Sequence, residues 1–199
     1  MRGRTRLRVI ALIAAAAAGL ARAGAAPSPA ASPAPSPAPS PAPAAPKLEA
    51  LTWGTVERMH RYGGVYLSSQ PSKEDFELAK ESGVRTVVNL RKPGEIDWDE
   101  KAVVERLGME YRDLGFKEPE ELTDGIFDAA RKILTSADRK PVLLHCSSAN
   151  RVGAVWLAHR VLDDAVPFPD ALAEAETVGL KSAAFRDRAK EYVDARRPK

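Results

Sequence analysis

The stretch "PVLLHCSSANRVGAVWLAHRVL", Pro141–Leu162, decides the fold. Its first part, Pro141 to His145, is a short apolar run of the kind that forms a strand covered on both faces of a sheet. Its last part, Val152 to Leu162, reads as a helix. Only Cys146–Arg151 separate the two, which leaves room for a tight strand-to-helix loop and nothing more. Cys146 is the first residue past the strand and the only cysteine in the chain. In parallel sheets, ligands bind beyond the carboxyl ends of the strands, and Cys146 stands at that point.

Working outward, strand-like and helix-like segments alternate. Gly64–Ser69, Val84–Leu90 and Met109–Leu114 read as three more strands. Ser72 is the expected N-cap of the first helix, with Asp75 at the capping-box position and Gly83 closing it. Asp97, with Glu100, is expected to open the second helix, which runs to Gly108. Thr123 to about Ser136 is helical by its apolar spacing at Ile126, Ala130, Ile133 and Leu134. "PDALAEAETVG" and "SAAFRDRAKEYVDARR" read as the last two helices. The alternation predicts an α/β domain over residues 48–199: a central, mainly parallel sheet of about four to five strands, with helices on both faces.

The N-terminal 26 residues order themselves as basic, apolar and small, the pattern of a cleaved export signal. Their apolar stretch is shorter than a spanning helix requires. This places the protein in the periplasm or outside the cell, with membrane contact only through an uncleaved signal. Residues 27–47 are rich in Pro, Ala and Ser and read as an extended spacer. Five of the 30 basic side chains, and none of the 27 acidic ones, lie in the signal, so the remainder carries a small net negative charge. Such a balance argues against a nucleic-acid partner. A lone cysteine also excludes disulfide stapling, and a free thiol in an oxidising compartment calls for a purpose.

The loop suits an oxyanion. Small residues let the N–H groups of Ser147, Ser148, Ala149, Asn150, Arg151 and Val152 converge on one point, and the following helix adds its positive end. Arg151 supplies a planar fork for two oxygens of a tetrahedral anion. Helix N-termini and nearby cations favour the thiolate form of a cysteine. Nucleophile, cradle and clamp thus fall within a few residues.

"LLHCSSANRVGA", Leu143–Ala154, resembles the signature of the protein tyrosine phosphatase superfamily. "VYLSSQPSKEDFELAKESGVRTVVNLRKPGE", Val65–Glu95, is similar to the start of its small bacterial dual-specificity-like members, including the beta-lactamase-hydrolase-like group. "ALAEAETVGLKSAAFRDRAKEYV", Ala171–Val193, resembles their C-terminal helices. The resemblance implies a metal-free, cofactor-free phosphatase acting on a phosphorylated protein or small molecule. Cys146 would form a cysteinyl-phosphate, Arg151 and the loop amides would hold the phosphoryl group, and His145 would support the loop. It also implies a general acid on the loop after the third strand. There Glu120 is the leading candidate, with Glu118 second, while Asp113 reads as a strand residue and Asp124 as a helix cap.

The chain departs from that pattern in three ways. Four residues, rather than the superfamily's usual five, separate Cys146 from Arg151. No glycine lies inside the loop, so Asn150 is the residue expected to accept a left-handed backbone. Val152 occupies a position usually held by Ser or Thr, leaving Ser147 or Ser148 to supply a hydroxyl. Two other readings therefore stand beside the phosphatase: a rhodanese-like sulfurtransferase, whose loops have this length, and an oxyanion-binding module without catalysis. Arg91 is expected either to meet substrate or to pair with Glu95. His60 and His159 lack ligand spacing and read as surface or core histidines, and Trp53, Trp98 and Trp156 as core or surface packing.

Overall fold

The computed structural model describes residues 46–197. The expected signal and almost all of the expected spacer lie outside them. Six strands form one sheet: β1 (Glu49–Ala50), β2 (Met59–Tyr62), β3 (Val65–Ser68), β4 (Thr86–Asn89), β5 (Glu110–Asp113) and β6 (Val142–His145). Their spatial order is β1-β2-β3-β6-β4-β5. The four strands anticipated from sequence, β3 to β6, are mutually parallel. The sheet is wider than expected because β1 and β2 add an antiparallel edge. Neither is an apolar run, but Gly63-Gly64 between the paired Tyr62 and Val65 is a two-residue hairpin turn.

Helices cover both faces. On one side, α1 (Lys73–Glu81) and α2 (Glu100–Arg106) bury Phe76, Ala79, Val103 and Val104 against Tyr66, Val87 and Leu143. On the other lie α3 (Asp124–Thr135), α4 (Asn150–Leu162), α5 (Phe168–Val178) and α6 (Ala183–Asp194), packed on Val65, Leu67, Val88, Val142 and Leu144. Leu143 faces one layer while Val142 and Leu144 face the other, so the apolar run of β6 follows from pleat alternation in a doubly covered strand. α4 is buried from Arg151 through Val161, between the sheet and α3, α5 and α6.

Local chemistry sets the ends of the helices. Ser72 and Asp75 form the expected capping box, with Asp75 N–H donating to Ser72 Oγ at 3.2 Å and Ser72 N–H to Asp75 Oδ2 at 2.9 Å. The second helix differs from expectation: its N-cap is Asp99, whose Oδ1 accepts the Ala102 N–H at 2.9 Å, and Asp97 lies outside it. Gly153 permits the close approach of α4 to the end of α5 and the segment after it. A Cβ there would lie 2.7 Å from Leu180 Cβ and 2.8 Å from the Ala175 oxygen.

Register aligns the carboxyl ends of the parallel strands. Ser68, His145, Asn89 and Asp113 form one row across β3, β6, β4 and β5. All four are polar, although the rows beneath them are largely apolar. The next residue beyond β6 is Cys146.

Candidate active site

Peptide planarity explains how the loop after β6 is built. The Ser147 carbonyl accepts the Gln70 N–H at 3.1 Å, and the Ser148 carbonyl accepts Arg58 NH1 at 3.3 Å. In a trans peptide the N–H points opposite to the C=O, so the Ser148 and Ala149 N–H groups turn away from those partners. The Ala149 carbonyl accepts the Gly153 N–H at 2.9 Å along the helix axis, which sends the Asn150 N–H outward from the helix start. None of the N–H groups from Ser147 to Val152 meets an acceptor among the described residues. They form an array of unpaired donors at the N-terminus of α4, suited to an anion.

The left-handed residue in this loop is Ala149, with φ 67°, and not Asn150 as expected. Asn150 is instead the first residue of α4, and its Oδ1 accepts from Lys181 and Ser182 at 2.8 and 3.1 Å. Its side chain thus joins the loop to the start of α6. Ala149 is fully buried, and a Cβ on Gly179 would lie 2.9 Å from its methyl. The rim is open at Ser147 and Ser148, which are exposed. Cys146 below them is fully covered, and its N–H continues the sheet to the Ser68 oxygen at 3.4 Å.

Arg151 is held from one edge. Its NH1 donates to Glu95 Oε1 at 2.8 Å and to the carbonyls of Leu90 and Phe116 at 3.1 and 2.7 Å. Its NH2 donates to Glu95 Oε2 at 2.7 Å. The Nε edge donates to no carbonyl or carboxylate among the described residues, and the Cys146 sulfur is the guanidinium's other neighbour; this leaves Nε–H and one NH2 hydrogen for an oxyanion. Burial works against the charged form of Arg151, but the Glu95 bonds and the neighbouring Cys146 sulfur outweigh it and raise its pKa. In return, the Arg151 bond holds the Glu95 carboxyl below its ordinary value against partial burial.

A buried polar cluster supports the strand ends. Glu100 is 4% exposed. Its Oε2 accepts from Gln70 Nε2 at 2.8 Å and Arg91 NH2 at 3.0 Å, and its Oε1 from Tyr111 OH at 3.2 Å. His145 Nε2 lies 3.1 Å from Oε1, at ion-pair distance but outside hydrogen-bond angles. Burial alone would raise the Glu100 pKa, yet His145, Gln70 and Arg91 bring it down to about 2. Through Gln70 and His145, Glu100 touches both ends of the segment His145–Ser147.

The structure gathers His145, Cys146, the loop and Arg151 as the spacing implied. Arg91 is buried and pairs with Glu100 rather than with Glu95. Val152 is fully buried in the core, so only its main chain serves the loop. Glu120 is exposed on the 3-10 turn Pro119–Glu121 and lines a shallow hollow with Ala184, Asp187, Arg188 and Glu191. Glu118 is exposed on the same segment. Asp113 ends β5, accepting the Gly115 N–H at 3.0 Å, and Asp124 opens α3 and pairs with Arg188 and Arg196. Contributors not anticipated from sequence are Glu95 as the partner of Arg151, Arg58, Gln70 and the buried Glu100. Glu95 and Arg151 are 56 residues apart, and only topology joins them.

No protein-family model and no curated protein matches the sequence. Solved structures do match. TpbA of P. aeruginosa aligns with a TM-score of 0.59 at 21% identity, over 77% of this chain and 91% of that one. Its complex with pTyr aligns at 0.58, with 21% identity and the same coverage. The core catalytic domain of the PP-IP phosphatase Siw14 from S. cerevisiae, in complex with citrate, aligns at 0.57 and 20% identity, over 66% of this chain and 82% of that one. The fold is therefore that of the cysteine-based protein tyrosine phosphatase-like proteins.

Proposed function

We propose that this chain, having that fold and that loop, is a cysteine-dependent phosphatase acting on a phosphomonoester. The observation that carries the reading is the unshared donor array. The six main-chain N–H groups that follow Cys146, at the start of α4, have no acceptor among the described residues, and Glu95 holds Arg151 from the edge away from Nε. In the reaction, the Cys146 thiolate attacks phosphorus while the ester P–O bond breaks. The loop donors and Arg151 carry the charge on the non-bridging oxygens. The leaving oxygen takes a proton from a carboxyl, for which Glu120 and Glu118 stand exposed on the turn that follows Phe116. Water then attacks the cysteinyl-phosphate, releasing phosphate and restoring the thiol. Because the sulfur is fully covered, its attack on phosphorus requires the atoms over Cys146 to move aside. The solved structures that share the fold favour this reading over a sulfurtransferase.

The second reading is an oxyanion-binding module. The covered sulfur, and an apolar Val152 in place of a hydroxyl, support it. One experiment separates the readings. The purified chain and its Cys146→Ser and Arg151→Ala variants are given p-nitrophenyl phosphate and, separately, thiosulfate with cyanide. Phosphatase activity lost in both variants supports the first reading, and thiocyanate formation replaces it with sulfurtransfer. Phosphate binding without any turnover supports the second. Export rests on residues 1–26 alone and is tested by cell fractionation, with N-terminal sequencing of the mature protein.

A further inference from the structure

We propose that Arg58 is a specificity-determining residue: it recognises a second anionic group, carboxylate or phosphate, beside the one seated in the Cys146–Arg151 loop. The inference rests on reading that loop as the phosphate site. β2 runs antiparallel to β3, so the start of β2 lies at the end of the sheet where β3, β6 and β4 finish. Arg58 immediately precedes β2, and its main chain is tied to this end twice. Its N–H donates to Ser69 Oγ at 3.2 Å, and its carbonyl accepts the Ser69 N–H at 2.9 Å. From this anchor the side chain reaches across to the loop, where NH1 donates to the Ser148 carbonyl at 3.3 Å.

That bond uses one of the five N–H donors of the guanidinium. Among the described residues no carboxylate lies within ion-pair distance of Arg58, although other arginines at this end of the sheet, Arg91 and Arg151, each have one. The residue is half-buried and adjoins the exposed rim at Ser147 and Ser148. An unneutralised, anchored cation therefore stands on the outer side of the exposed Ser147–Ser148 rim, across the Ser148 peptide from the donor array. A phosphate in the loop is served by the donor array without Arg58, so the fork of Arg58 is free for an anionic group that a longer substrate carries across the exposed Ser147–Ser148 rim. Planar, bidentate recognition of carboxylate or phosphate is what a guanidinium does best.

The test uses the full chain carrying Cys146→Ser, so that ligands bind without turnover, and two matched ligand pairs. One pair is a phosphotyrosyl peptide with Asp and Glu flanks and its Asn and Gln counterpart. The other is a hexose bisphosphate and the corresponding monophosphate. Titration calorimetry should show about tenfold tighter binding of the more anionic member in at least one pair, and the pair that responds identifies the second group as carboxylate or phosphate. Adding Arg58→Gln, which keeps a donor for Ser148 but removes the charge, should bring that ratio close to one. Arg58→Lys should retain most of it. No preference in either pair, or equal loss in the Gln and Lys variants, would overturn the proposal, the latter because it reveals a mere prop for the loop. Turnover of p-nitrophenyl phosphate by the unmutated chain is read separately. A binding preference without turnover would sink the phosphatase reading and leave this one standing.

Discussion

Glu95→Gln tests whether Glu95 aims Arg151 or competes with its ligand. Both carboxylate oxygens are bonded to the guanidinium, and the two side chains are only 9% and 23% exposed. Glutamine keeps the shape and one acceptor but loses the charge. Breaking a fully buried pair costs about 3–5 kcal/mol. The partial exposure of Glu95 and the surviving amide oxygen reduce this to about 2 kcal/mol. With a urea slope of roughly 2 kcal/mol/M, the unfolding midpoint should fall by about 1 M. Pairing holds the folded Glu95 pKa below 4.5, so this stabilisation is present above that value and is lost as pH falls through the folded one. The gap between parent and variant should therefore narrow in acid. Because Glu95 holds one edge of the fork and leaves the Nε edge free, releasing it should weaken inorganic phosphate binding about tenfold, as measured by titration calorimetry. Tighter phosphate binding in the variant would refute the reasoning, since Glu95 would then be occupying the edge that the anion needs.

Glu100, with its pKa near 2, should contribute stability of the order of 3 kcal/mol that is complete above about pH 4.5 and lost as pH falls towards 2. Urea unfolding of Glu100→Gln across that range should show a correspondingly flatter pH dependence. Gly153→Ala should cost about 2 kcal/mol by calorimetric melting, because the new methyl meets the main-chain oxygen of Ala175. Asn150→Ala should lower stability by about 1–2 kcal/mol through loss of the Lys181 and Ser182 acceptor, while Asn150→Asp should retain most of it. A bulky disulfide reagent should label the covered Cys146 far more slowly in the native protein than in urea, and saturating phosphate should slow it further.

What could be read in advance was what is local in the chain. The apolar run before Cys146 and the periodic helices reflect burial, which composition and spacing encode directly, and the Ser72–Asp75 box is a four-residue event. The antiparallel edge was missed because Met59–Tyr62 has no apolar pattern of its own and pairs only through the Gly63-Gly64 turn. Asp97 reads as the cap from sequence, whereas α2 starts two residues later, at Asp99, whose side chain accepts the Ala102 N–H. The left-handed position falls on Ala149 because Asn150 serves better as an acceptor for the start of α6. The partner of Arg151 could not be read because a charge pair across 56 residues leaves no local signal. The polar row Ser68–His145–Asn89–Asp113 was visible residue by residue, but its alignment needed the register.

The loop is walled by segments scattered along the chain: Arg58, Gln70, Leu90, Glu95, Phe116 and Lys181–Ser182 at the start of α6. A partly assembled chain thus cannot present the grip at all, and any tetrahedral anion that fits is a ligand of the native state alone. At a hundredfold excess over its dissociation constant it would add about 2.7 kcal/mol to folding. Inorganic phosphate in the medium would then act as a chaperone-like stabiliser for the whole domain, from the amino-terminal hairpin to the last helix.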